Sequence, residues 1–189
     1  PPLVFWMSAL SFKLFGVSNW SYKLPSVLFS LLAIYGTQRL GSLLHTRAVG
    51  ALAGLILAST QAFFLMNNDV KTDMYLIGPM MMGIWLLAEW ARGGRVRMLL
   101  LGSIFLGVGM LAKGPLALIA PVMAIGSDVL LRRDWAMLRK WGWLFVIPIA
   151  LLVTTPFLIG QYQQYGTHGI RFFLWTQSFG RVTGQSEWS

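Results

Sequence analysis

The sequence predicts an all-α fold, a polytopic transmembrane helix bundle of about six spans with short interfacial helices. Three observations predict it. Of the 189 residues, 56% are hydrophobic and 11% are charged, whereas soluble domains carry roughly 25% charged residues. Several apolar runs approach the ~20 residues that cross a bilayer. The alternating ten-residue segments of an outer-membrane barrel are not found.

The spans follow from apolar runs set against breakers and charges. Residues 3–15 predict a short amphipathic helix, too short to cross. Leu24–Leu44, Ala48–Met66 and Met74–Trp90 predict the first three spans. Met98–Ala112 and Leu116–Leu131 predict two short spans divided by Lys113-Gly114-Pro115, and Trp143–Tyr162 a sixth. The aromatic, basic tail from 167 to 189 reads as interfacial. All of residues 1–189 read as part of one transmembrane domain, an internal piece of a longer protein.

The net charge of +9 raises a nucleic-acid reading. The basic residues sit at the ends of apolar runs rather than on one face, which excludes it. With no cysteine, there is neither a disulfide framework nor a thiolate metal site. Arg39 and Arg47, then Arg92, Arg95 and Arg97, then Arg132, Arg133, Arg139 and Lys140 fall in alternate connections. These nine cations mark the cytoplasmic side by the positive-inside rule. Lys13, Lys23, Lys71, Lys113, Arg171 and Arg181 then lie outside.

Lys113 stands out because an ammonium at mid-bilayer costs at least ~2.5–3.5 kcal/mol. As the last residue of an outward-going helix it escapes that cost. Gly114 and Pro115 stop this helix and start the next, and the cation suits the negative helix end. In the outer turn NNDVKTDMYL, Asp69 and Asp73 are four apart, a spacing that would place them on one helix face. With Lys71, Lys113, Arg171 and Arg181 they predict an outer cluster of two acids and four cations. Carboxylates can take a proton from a hydroxyl or orient a sugar. Lys and Arg neutralise phosphate, and at a membrane boundary that suits a lipid phosphate.

Each residue also has a plainer reading. Lys71 reads as a solvated turn residue. Asp69 reads as a cap of the third span or a partner of Lys71, and Asp73 as a charge that favours a helix start. Arg171 and Arg181 read as interface anchors, and Lys13 and Lys23 as snorkelling anchors. His45 and His168 are lone histidines without ligand spacing.

Taken in order, PPLVFWMSALSFKLFG, LPSVLFSLLAIYG, KTDMYL, AKGP and FFLWTQSFGRVTG resemble the bacterial membrane glycosyltransferases of the protein-O-mannosyltransferase and aminoarabinose-transferase type. The resemblance covers essentially the whole chain. It implies the GT-C fold in a bacterial inner membrane, with the active site on the periplasmic side. It also implies inverting transfer of a sugar from a polyprenyl phosphate to a protein, lipid or glycan acceptor.

By motif, Lys113 would face the lipid phosphate, Asp73 would help build the sugar and acceptor site, and Arg181 would lie near the phosphate. Lys71 and Tyr75 carry over less directly. Arg171 joins the phosphate-binding candidates and Asp69 the sugar and acceptor candidates. The resemblance places the general base in an acidic loop ahead of Pro1, so this polypeptide alone is expected to be inactive. It leaves room for a divalent metal in the full-length enzyme. Gln177-Ser178, however, stand where the family often has Glu-Asn or Glu-His, which removes one ligand. Two other functions fit a polytopic protein with terminal charges. A transporter or lipid flippase predicts internal repeats and midplane charges, and a non-catalytic assembly subunit would account for the missing acidic first loop without calling the chain a fragment.

Overall fold

Ser18 opens the first long helix with a capping box, its hydroxyl accepting from the Ser21 amide while the Ser21 hydroxyl accepts from the Ser18 amide. The computed structural model describes residues 2–175, apart from the side chain of Leu138. In chain order the helices are α1 (Pro2–Phe15), α2 (Asn19–Leu44), α3 (Arg47–Ser59), α4 (Gln61–Asn68), α5 (Thr72–Ala91), α6 (Val96–Lys113), α7 (Leu116–Arg132), α8 (Trp135–Leu138) and α9 (Trp143–Arg171). No strand occurs among the described residues.

Four of these helices, α2, α5, α6 and α9, are long and apolar enough to cross a membrane. Together α3 and α4, bent by 51° at their junction, are apolar enough to form either a broken fifth span or a re-entrant loop. At 17 residues, α7 is at the short end of what spans a bilayer. The sequence reads Ala48–Met66 as one straight span, and the structure breaks it at Thr60. The Thr60 hydroxyl and amide both donate back to the Leu57 carbonyl, which closes α3 early. The last span is longer than read. It runs past Tyr162 to a non-helical break at Gly166 (φ 60°, ψ −148°), after which a separate short helical stretch covers residues 167–171.

The short helix expected over residues 3–15 is present as α1. α1 buries Ser8 and Ser11 and exposes Phe5, Leu10, Leu14 and Phe15. Ser11 donates to the Ser21 carbonyl of α2. The packed side of α1 thus carries Leu3 and Val4 together with the two serines, while Phe5, Leu10, Leu14, Phe15 and Lys13 face outward.

Lipid is as apolar as leucine, so helices in a bilayer gain little by hiding apolar surface from it. They associate through close approach and polar contacts. Both devices are present. A Cβ at Gly78 of α5 would lie 2.4 Å from the Phe29 carbonyl oxygen of α2. A Cβ at Gly50 of α3 would lie 2.3 Å from the Gln38 carbonyl oxygen of α2. Gly107 of α6 similarly admits the backbone of α9 at Ala150. Asn67, at the end of α4, accepts hydrogen bonds from Ser26 and Ser30 of α2, each 2.8 Å. Gly50→Leu should therefore separate α3 from α2 and lower the melting temperature in detergent by several degrees. Gly126→Leu, where a Cβ would meet nothing within 4 Å, should leave it unchanged.

These contacts fix the directions of the spans. α2 and α5 run parallel, with Phe29 beside Gly78 and Leu43 beside Arg92. α6 runs antiparallel to α5, since Gly102 meets Leu87 and Lys113 meets Asp73. α9 starts beside Trp90, where Trp143 packs edge-on at 5.1 Å. All three connections that hold the nine cations therefore lie at one end of the bundle. Two of these cations also tie helices together. Arg92 donates to the Leu43 carbonyl (2.8 Å) and Lys140 to the Ala91 carbonyl.

Candidate active site

At the opposite end, the α4–α5 turn meets the α6–α7 turn. α6 stops at Gly114, whose φ of 63° and ψ of −147° suit a residue without a Cβ. The Gly114 amide closes on the Met110 carbonyl at 2.7 Å, and Pro115 opens the next helix. Lys113 is thereby fixed at its backbone, one residue before a sharp stop. Across from it, Asp73 sits in the first turn of α5. Lys113 Nζ donates to Asp73 Oδ1 at 2.6 Å, and each side chain is 31% exposed. The pair joins two helices forty residues apart in sequence.

Asp69 and Asp73 do not share a helix face. Asp69 ends α4, and Val70 adopts a left-handed conformation (φ 49°) while its side chain is buried. A β-branched residue rarely takes that conformation. The turn between α4 and α5 is thus a sharp reversal, and it sends the two acids to different partners. Asp69 pairs with Lys71 at 3.4 Å, with side chains 64% and 55% exposed. An exposed pair of this kind contributes little. Lys71→Ala should shift the melting temperature by no more than about 1 °C. Nor does Asp69 cap α5: Lys71 occupies that N-cap, with no side-chain cap bond.

Tyr75 is fully buried. Its ring packs against Phe29 of α2 at 4.8 Å, so it braces the wall behind Asp73 and does not face an open cleft. The buried Tyr75 hydroxyl of α5 meets the buried Ser8 hydroxyl of α1, short of a well-formed hydrogen bond. Sequence reasoning missed this meeting of α1 and α5, because nothing in PLVFWMSAL marks Ser8 as a core residue. Arg171, exposed at the end of α9, makes no ion pair or side-chain hydrogen bond among the described residues. Arg181 and Gln177-Ser178 lie outside the described residues. Among the described residues no three His, Asp or Glu side chains gather at metal-ligand spacing, so no step is assigned to a metal.

Between α6, α7 and α9 lies an apolar groove of about 250 Å³, lined chiefly by Leu106 of α6, Leu118, Val122 and Ile125 of α7, and Trp143 and Val146 of α9, which runs from mid-bundle toward the end that holds the nine cations. It lies along the helix that follows Lys113.

Apolar spans that gather half-buried charges at one end define a polytopic membrane protein with a polar site at a bilayer face. The family model described as dolichyl-phosphate-mannose-protein mannosyltransferase matches residues 1–159, and the chain belongs to that family. The chain is 25% identical to an undecaprenyl phosphate-α-4-amino-4-deoxy-L-arabinose arabinosyl transferase of Shewanella sediminis, across 98% of this chain and 34% of the relative. It is 29% identical to the protein of the same name from Edwardsiella ictaluri, across 96% of this chain and 33% of the relative. It thus spans about a third of the length of these relatives. The crystal structure of ArnT from Cupriavidus metallidurans in the apo state superposes with a TM-score of 0.80 at 21% identity, over 92% of this chain and 33% of that one. The fold is the GT-C fold.

Proposed function

We propose that the protein to which this chain belongs transfers a sugar from a polyprenyl phosphate to an acceptor hydroxyl at the outer face of the bacterial inner membrane. The observation that carries the reading is the Asp73–Lys113 pair, held half-buried at the end away from the nine cations. The names of the relatives support a donor of the undecaprenyl-phosphate class.

In the transfer, the bond between the sugar's anomeric carbon and the phosphate oxygen breaks. The acceptor oxygen bonds to that carbon from the opposite side, and the acceptor's proton passes to a base. The leaving phosphate gains negative charge as its bond to the sugar breaks. A positioned cation in a water-poor site stabilises that charge. Lys113 supplies it. An ammonium carries three donors, so contact with Asp73 and contact with a phosphate oxygen are compatible. Asp73 sets the direction of the ammonium and lowers the cost of holding it near hydrocarbon. Tyr75 supports this site only from behind, as the wall on which Asp73 stands, and the exposed Asp69–Lys71 pair lies in the turn ahead of it; Arg171 and Arg181 are the further cations proposed for the donor phosphate.

The apolar groove along α7 takes isoprene units farther from the phosphate. Gly126 lines this groove, and a Cβ there has open space. Gly126→Trp should fill it and raise KM for a long-chain donor at least about tenfold relative to a short-chain one. An equal effect on both would remove the groove from the donor path. The direct test incubates the full-length protein in proteoliposomes with a polyprenyl-phosphate-linked aminopentose or mannose, and follows release of polyprenyl phosphate. Release that requires an acceptor supports the reading. No release from either donor, with lipid translocation in its place, would contradict it.

A further inference from the structure

At the end of the bundle opposite Lys113, α2, α3 and α5 meet around a cleft of about 410 Å³ lined by Gln38, Arg39, Ser42, Arg47, Trp85 and Glu89. None of its three charged residues, Arg39, Arg47 and Glu89, makes an ion pair or side-chain hydrogen bond among the described residues. Arg92 and Lys140 are engaged by helix carbonyls, and Arg132 pairs with Asp128 at 2.6 Å. Arg39 instead lies over the Trp85 ring, 5.0 Å from its centroid. Trp85 is fixed in turn by Tyr35, edge-on at 5.6 Å. The ring holds the guanidinium in place without neutralising it.

Arg47 is the first residue of α3, which has no acidic residue in its first turn. A cation at that helix end is repelled by the macrodipole, so an anion there would relieve two positive charges at once. Glu89, half-buried near the end of α5, makes no ion pair or side-chain hydrogen bond among the described residues. Its carboxylate shares the cleft with Arg39 and Arg47 but lies within ion-pair distance of neither, so its oxygens are open to a ligand cation. The cleft therefore asks for an anion and a cation in one ligand. On α2, Tyr35 and Leu31 lie one and two turns from Arg39 on the same face, 46% and 55% exposed. They form an apolar track that leads away from the cleft.

We propose that this cleft binds a phosphatidylethanolamine headgroup, with the phosphate on Arg39 and Arg47, the ammonium on Glu89 and an acyl chain along Tyr35 and Leu31. The mixed charge argues against a purely anionic lipid, which Glu89 would repel. The apolar track argues against a soluble phosphate compound. The inference does not depend on the transferase reading.

The test is native mass spectrometry of the full-length protein with matched-chain phosphatidylethanolamine, phosphatidylglycerol and phosphatidylcholine, alongside glycerophosphoethanolamine as the chain-free headgroup. The wild type should hold phosphatidylethanolamine at least about tenfold more tightly than the other two lipids and the chain-free headgroup. Arg39→Gln with Arg47→Gln should remove that preference. Glu89→Gln should shift it toward phosphatidylglycerol. Equal retention of all three lipids by the wild type, or a wild-type preference for phosphatidylglycerol, overturns the proposal. Equal binding of the chain-free headgroup overturns its lipid part. If the double arginine variant fails to fold, Glu89→Gln and the wild-type comparison still decide.

Discussion

Lys113→Ala in the full-length protein lowers turnover at least about tenfold, equivalent to ~1.4 kcal/mol of lost transition-state stabilisation, while Lys13→Ala leaves turnover near wild type. The difference follows from where each ammonium sits. Lys13 is exposed near the end of α1, with no charged partner among the described residues. Removing it takes a charge from a surface. Lys113 is about one-third exposed, is held by a Gly-Pro helix stop and is aimed by Asp73. Removing it takes the positioned cation from the site where charge develops. The loss should fall on kcat as well as KM, because the phosphate is more negative while leaving than while bound. A loss confined to KM would make Lys113 a donor anchor only. Equal small effects of Lys13→Ala and Lys113→Ala would remove the phosphate role altogether.

Asp73→Asn should also reduce turnover at least about tenfold, with a smaller effect on thermal stability. Asp73 lies in the first turn of α5, and its charge favours the helix start by about 0.3–1 kcal/mol. That modest term is what stability loses. Activity loses more, because Asn cannot hold the ammonium with a full charge, and Lys113 loses the carboxylate that aims it. The exchanged double variant Asp73→Lys with Lys113→Asp separates the two contributions. It should recover most of the lost stability, since an ion pair again joins α5 and α6. Turnover should stay low, because the cation then projects from the wrong helix. Recovery of both would show the pair to be a structural tie and nothing more.

How much was legible in the sequence depended on the range of the physics involved. Span positions follow from hydropathy, which is local, and α2, α5 and α6 lie within a few residues of where the apolar runs place them. The gathering of nine cations at one end follows from span parity, and the contacts along α2, α5, α6 and α9 reproduce it. The break at Thr60 was not legible, because no Gly or Pro marks it. It comes from a threonine returning both of its donors to Leu57.

The inward-facing serines of α1 were not legible either, since their partners are in α2 and α5. The site shows the same division. Topology alone puts Asp73 and Lys113 at one bilayer face. Their pairing depends on how α5 packs against α6, through Gly83 against Leu106 and Gly102 against Leu87. The four-residue spacing of Asp69 and Asp73 suggested one helix face, and the left-handed Val70 turn between them breaks it. Spacing implies a shared face only where the helix is continuous.

The most direct measurement is the affinity of the full-length protein for a short-chain polyprenyl phosphate against the corresponding uncharged polyprenol, in wild type and in Lys113→Ala. The account predicts that the wild type prefers the phosphate at least about tenfold and that the variant binds both alike. A variant that keeps the full preference for phosphate would contradict it.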